Sequence, residues 1–278
     1  MSTSIDNARV IVAISFDFEA EEDAEYLTAD TPDFWDYHER QYGGRRGVWR
    51  MLDIFSRYEV NATFFICAAL LKSYPRACRE IEKGPYEIAA HTIHHEHLDR
   101  LTPEAENEMF GHMQRMFGEF YGTAPVGFRT CFPSKHTLDF VADHGFYYDT
   151  TTRDDESPYR MHRPGRGSYI EIPRGFNGDA PWVGCPVATP LHTGRYNAAA
   201  EVFGAWRDEF DWLYREGERE QKLLTLCLHP YITGRPSRAK AIDNLLAHMA
   251  GHDGVYYATH LEVAQYFDRR SGTPAEAR

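Results

Sequence analysis

The run Val10–Glu21, "VIVAISFDFEAE", decides how this chain is read. Its first part, "VIVAISF", is short, β-branched and almost wholly apolar, the pattern of a strand buried on both faces. Two carboxylates, Asp17 and Glu19, follow at once. Outward from this run, short apolar stretches alternate with amphipathic ones. "ATFFIC" (62–67), "YEIAA" (86–90), "VGFR" (126–129), "FYYDT" (146–150), "YIEIP" (169–173), "LLTLCLH" (223–229) and "VYYAT" (255–259) read as further strands. Between them, helices are expected over 46–60, 74–84, 102–122, 134–145, 198–217, 237–251 and 260–267. The signals are Thr102 and Ser134 as N-caps, Pro75 and Pro103 in first turns, and Gly84 and Gly145 past helix ends. The acidic, aromatic stretch 19–44 is expected to be an ordered loop near a site, and 151–196 to be loops around the one strand "YIEIP". Repeated β–α alternation implies a parallel sheet. With seven or eight strands, a closed or nearly closed α/β barrel leads and a doubly wound open sheet is the alternative.

The chain of 278 residues, 42% hydrophobic, suffices for one substantial core, and no Pro/Gly/Ser-rich linker divides it. A single domain spanning 1–278 is expected, with an ordered core at about 9–270. The net charge of −12 argues against nucleic acid and anionic membrane surfaces as partners. Five scattered cysteines without a C-x-x-C pair read as free thiols of a reducing compartment. The N-terminal stretch resembles no signal peptide and no run approaches a membrane span, so a cytoplasmic protein is expected.

In a parallel barrel, chemistry sits at the C-terminal strand ends. Asp17, Glu19, His91, Arg129 and His229 all fall there. "HTIHHEH" (91–97) holds four histidines. His91 and His95 open a helix-like segment and would share a helical face, with His94 and His97 turned away by about 100° and 200°. The segment matches neither H-E-x-x-H nor H-x-x-E-H. His97 and Asp99 fit the spacing of a 2-His-1-carboxylate iron site, but β–α alternation suits that site poorly. A His91/His95 pair plus a carboxylate from the first strand end fits best. A second H-x-x-x-H pair, His248 and His252, lies at a helix end and reads as ordinary surface histidines.

The segments "SFDFEAE", "ATFFI", "EIAAHTIHHEHL", "GFRTCFPSKHTL", "YDTTTRDDESPYR" and "CLHPYITGRPSR" resemble, in order, the motifs of the polysaccharide deacetylase (NodB-homology, carbohydrate esterase 4) superfamily. They are most similar to its cytoplasmic peptidoglycan-deacetylase-like and cyclic-imidase- or allantoinase-like branch. The resemblance covers about Val10 to Phe267 and implies a distorted (β/α) barrel. It implies Asp17 as catalytic base, Arg129 as the residue that orients it, and His229 as general acid. The usual second Asp is replaced by Phe18; in the closer branch the ligand stands two residues after the first Asp. Glu19, His91 and His95 are thereby implied as ligands of a divalent metal, zinc by default, with nickel, cobalt or iron fitting the same donors. Trp182, Phe132 and Trp35, with Pro230, would wall the pocket. The implied activity is hydrolysis of a non-peptide carbon–nitrogen bond in a small amide, cyclic imide or ureide, by a homo-oligomer. N-deacetylation of an amino sugar or peptidoglycan unit is the competing activity, and a catalytically silent binding protein on the same fold is the third.

Overall fold

The first strand is divided between two cores, and that division builds the site. The computed structural model describes residues 3–22, 34–175, 178–179 and 199–271, with only the backbone of 34–36 and 199. Strand β1 spans Val10–Phe18. Side chains alternate along a strand. Val10, Val12, Ile14, Phe16 and Phe18 therefore enter the main core beneath the surrounding helices. Ile11 and Ala13 enter a smaller cluster on the concave face of the sheet, closed by the helix His260–Arg270. Ser15 and Asp17 continue that inner row, and Glu19 follows it past the strand end.

The same alternation recurs around the sheet. Strand β2 (Ala62–Ile66) sends Phe65 inward, β3 (Tyr86–Ala90) sends Ala89, and β5 (Tyr148–Asp149) sends Tyr148. On β8 (Lys222–Leu228), Leu224, Leu226 and Leu228 face the helices. The inner rows therefore end on His91 after β3, Arg129 after β4 (Gly127–Phe128) and His229 after β8.

The nine described strands form one sheet in the order β6-β7-β5-β4-β3-β2-β1-β8, with β9 (Val255–Tyr257) on β1. Every pairing is parallel except β6 (Tyr159–Arg163) with β7 (Gly167–Glu171). The described residues contain no ladder between β7 and β8. Instead, the segment after β7 runs beside β8: Gly175 N–H donates to Thr225 Oγ1 (2.6 Å) and Asp179 N–H to the Cys227 carbonyl (3.2 Å). The architecture is a distorted α/β barrel.

Three expectations need correction. The stretch 19–44 is not all loop, because Phe34–Tyr42 is helical and runs through the π-turn Gly43–Gly47 into the helix Val48–Arg57. Its aromatic and acidic composition hid a helical repeat. The loop region 151–196 contains a hairpin rather than one strand; β6 is polar and half-exposed, so no apolar alternation marked it. Ser134 does not cap its helix. His136 holds the cap position of Thr137–Asp143, and Ser134 N–H donates to Thr137 Oγ1 at 2.8 Å. Thr102 does cap Pro103–Tyr121, accepting from Ala105 N–H, and Gly122 closes that helix in the left-handed region.

Among the described residues no helix is long and apolar enough to cross a membrane. Cys67, Cys78, Cys131 and Cys227 are free thiols; Cys185 lies outside the described residues.

Candidate active site

His91 and His95 come together, but not on a helix. Residues 91–97 form an irregular turn in which Thr92 and His95 adopt left-handed φ values of 59° and 53°. The fourfold spacing suggested a helical face, whereas two backbone reversals make the contact. Each such residue costs on the order of 1–3 kcal/mol, so the surroundings have to enforce it. They do. Glu96 Oε2 accepts from Ile93 N–H (3.0 Å) and His94 N–H (2.9 Å). Ala68 and Ala69 N–H donate to the carbonyls of Thr92 and Ile93, and Cys67 Sγ to that of His91. The two imidazole centroids end 5.0 Å apart.

Glu19 Oε1 lies amid three imidazoles: 3.6 Å from His91 Nε2, 3.3 Å from His95 Nε2 and 3.4 Å from His229 Nε2. His91 Nδ1 donates to the Arg129 carbonyl at 2.8 Å, which turns Nε2 toward Glu19; burial lowers this imidazole, but Asp17, with Cys131 and Glu19, lifts it to about 9, so Nε2 carries a proton whose place a metal ion would take. That Nε2 is buried and makes no hydrogen bond. A buried ring nitrogen that faces a carboxylate and a second imidazole draws a cation, whether a proton or a metal ion. The donor set of Glu19, His91 and His95 thus fits a divalent ion.

Asp17 sits deeper. Arg129 Nη1 binds its Oδ1 at 2.7 Å and also donates to Ser15 Oγ (2.8 Å). Arg174 Nη1 lies 3.6 Å from Oδ2, and Cys227 Sγ donates there at 3.2 Å. Burial raises the Asp17 carboxyl, but Arg129, with His91, His229 and Arg174, outweighs it and holds the group well below the usual carboxylate range. Burial likewise raises Glu19, and His95 and His229 pull it well down. For His229, burial lowers the imidazole, but Asp179 and Glu19 lift it well above the ordinary histidine value. Its Nδ1 bonds Asp179 Oδ1 at 2.7 Å, and its backbone N–H donates to Oδ2 at 2.8 Å. Next to Asp17, that N–H···carboxylate pair leaves Nε2 4.0 Å from Asp17 Oδ2.

The structure brings Asp17, Glu19, His91, His95, Arg129 and His229 into one cluster. Phe18 faces the outer core, so parity alone keeps it from the site and gives position 19 the inward place. His94 pairs with Glu22 (3.3 Å) and His97 stacks on Phe132 (3.5 Å), both outside the cluster. Phe132 also stands edge-on to His95, with ring centroids 5.3 Å apart. Pro230 is buried at the start of the short helix Pro230–Thr233. Trp182 and the Trp35 side chain lie outside the described residues.

Four neighbours were not foreseen. Arg40, from the helix Phe34–Tyr42, binds Glu19 Oε2 at 3.0 Å. Asp179 holds His229, Arg174 flanks Asp17, and Cys131 Sγ joins the donor atoms of Glu19, His91 and His95 within 4.8 Å. Only Cys131 carried a sequence signal, standing two residues after Arg129. Helix Phe34–Tyr42 is pressed onto the site by its π-turn. A Cβ on Gly47 would lie 1.9 Å from the Pro230 carbonyl oxygen, so only glycine fits there.

The sequence profile of the polysaccharide deacetylase family matches residues 20–148. Over 88% of its length the chain is 24% identical to a peptidoglycan deacetylase of Helicobacter pylori, covering 91% of that protein. It is 25% identical to a solved protein described as a probable polysaccharide deacetylase from Pseudomonas aeruginosa PAO1, with a TM-score of 0.85 over 96% of this chain and 94% of the other. The Puue allantoinase shares the fold at a TM-score of 0.88 and 23% identity, over 99% of this chain and 94% of that one. These likenesses mark a polysaccharide deacetylase domain over residues 20–148 of the chain.

Proposed function

We propose that this protein belongs to the polysaccharide deacetylase family and is a metal-dependent hydrolase of non-peptide carbon–nitrogen bonds, acting on a small amide, cyclic imide or ureide. The observation that carries the reading is enclosure of a complete hydrolytic set. Asp17 and His91 are 0% exposed, Glu19 3%, His229 6% and His95 7%. A substrate has to enter among these side chains, which suits a small molecule better than a polymer.

Glu19, His91 and His95 are the residues that would hold the ion, zinc in our reading. When bound, a divalent ion polarises a carbonyl and lowers the pKa of water to about 7. Asp17, ionised throughout the neutral range, stands as the proton acceptor for the attacking water. Arg129 fixes its Oδ1 and keeps it ionised. His229, held protonated by Asp179 and Glu19, has its Nε2 on the same side and donates to the departing nitrogen. Asp179 fixes the His229 ring and tautomer, the part played by the carboxylate of a hydrolytic triad. Water adds to the carbonyl carbon, the C–N bond breaks, and the products are a carboxylate and an amine, or one opened ring bearing both.

The likeness to the Helicobacter pylori deacetylase favours a second reading, N-deacetylation of an amino sugar. A panel of succinimide- and hydantoin-type rings against N-acetylglucosamine oligomers, with and without chelator, separates the two. Ring opening without acetate release is the expected result. Acetate release from the oligomers selects the second reading. Tight ligand binding without turnover selects a silent binding protein and overturns both.

A further inference from the structure

Cys131 belongs to no step of that mechanism, yet among the described residues its sulfur joins the proposed metal donors. It stands in the turn after β4, two residues past Arg129, and is partly exposed. One donor atom each from Glu19, His91, His95 and Cys131 lies within 4.8 Å of all the others. These four atoms come from three separate strand ends, so their meeting is a product of the fold and not of local sequence. His91 Nε2, fully buried and without a hydrogen bond, points into the same space. Arg174 Nη1 donates to Cys131 Sγ at 3.5 Å and so helps to hold the side chain in place.

We propose that Cys131 is a fourth donor to the metal, so that the site selects a borderline-soft ion. The inference rests on the reading that Glu19, His91 and His95 hold a metal. Imidazole and thiolate favour zinc, cobalt and iron, whereas magnesium, calcium and manganese favour all-oxygen sites. Coordination releases the thiol proton to solvent, and no oxidant is involved. With three donors the metal would be indifferent to sulfur chemistry. With four, its identity is set by the residue after Thr130.

Cobalt reports sulfur directly. The full-length protein, stripped with chelator and reloaded with cobalt(II), is expected to show visible d–d bands and a sulfur-to-cobalt charge-transfer band in the near ultraviolet. Cys131→Ser should keep the d–d bands and lose the charge-transfer band, while Cys227→Ser retains both. Losing even an outer-shell partner costs about 10–100-fold in metal affinity, so Cys131→Ser should weaken cobalt binding by about tenfold or more. X-ray absorption on the wild-type protein needs no variant and should find one sulfur at about 2.3 Å. Cobalt bound without a charge-transfer band or a sulfur scatterer overturns the Cys131 assignment and leaves the three-residue site standing. A band that survives Cys131→Ser overturns it as well. No cobalt bound at all overturns both.

Discussion

Two H-x-x-x-H pairs in this chain reach almost the same ring separation and differ in nearly everything else. The His91 and His95 centroids are 5.0 Å apart, and those of His248 and His252 are 4.8 Å apart. Each pair has a carboxylate nearby, Glu19 in one case and Asp211 in the other. The second pair is half-buried at the end of helix Pro236–Met249, edge-on to Phe210. His248 Nε2 bonds Asp211 Oδ1 at 2.7 Å, and His252 Nδ1 bonds the His248 carbonyl at 2.9 Å. One ring nitrogen of each imidazole thus already has a partner within the protein. The first pair is buried, its backbone is strained, and His91 Nε2 has no hydrogen bond. Spacing brings imidazoles together in either setting. Burial without a partner distinguishes a site built for a ligand from a satisfied surface cluster.

Metal content is the most direct way to break this comparison, and it carries the largest expected effect. Protein isolated with its metal should lose nearly all of it in His91→Ala and His95→Ala and keep it in His248→Ala. Activity should follow the metal. Full metal content in His91→Ala, measured by plasma emission on folded protein, would remove the basis for treating the two pairs differently. Loss in His248→Ala would mean that the surface pair binds as well.

Much of this contrast was legible in the sequence, because strand parity is. In "VIVAISFDFE" the inward row ends Ser15, Asp17, Glu19, and in "LLTLCLH" it ends Thr225, Cys227, His229. Strand-end residues could therefore be assigned to one face before any coordinates. The conformation that joins His91 to His95 was not legible. Left-handed φ at a threonine and a histidine has no compositional mark, and a spacing of four reads as helix by default. Arg40 and Asp179 were hidden for another reason. Arg40 stands on a helix whose repeat the aromatic and acidic composition concealed, and Asp179 in a segment without regular structure, where neither period 2 nor period 3.6 applies. Cys131 was visible but read through composition, as one of five scattered thiols. Its importance depends on where the turn after β4 carries it.

A third histidine sharpens the comparison in pH. His260 is fully buried, with Nδ1 3.2 Å from Thr63 Oγ1 and Nε2 3.4 Å from Arg129 Nη2. Burial, reinforced by Arg129 and only partly opposed by Asp17, pushes this imidazole well below its ordinary value of 6.5. The folded state keeps it neutral, while the unfolded chain binds a proton once pH falls below that value. The resulting stability is fully present above about pH 6.5 and is lost as pH falls toward the folded pKa, by up to about 1.4 kcal/mol per pH unit. Between about pH 7.5 and about pH 5.5, urea denaturation should therefore show roughly 1 kcal/mol more loss in wild type than in His260→Asn. Parallel losses in the two proteins would mean that the buried imidazole titrates normally and that burial here is not what sets histidine chemistry.

The smallest effect belongs to the surface pair. The Asp211 and His248 side chains are 41% and 28% exposed, so water competes for their contact and salt screens it. Exposed ion pairs contribute about 0–1 kcal/mol, and in a chain of this size a loss within that range lowers the melting temperature by no more than about 2–4 °C. Asp211→Ala should therefore cost little stability, leave metal content unchanged, and cost less in high salt than in low. A cost well above 1 kcal/mol, or a melting temperature that rises when zinc is added to wild type and not to Asp211→Ala, would show that this cluster takes an ion after all. In that case a hydrogen bond between ligand side chains, such as that of His248 to Asp211, is no sign of an idle site, and the unbonded Nε2 of His91 would lose its value as the distinguishing mark.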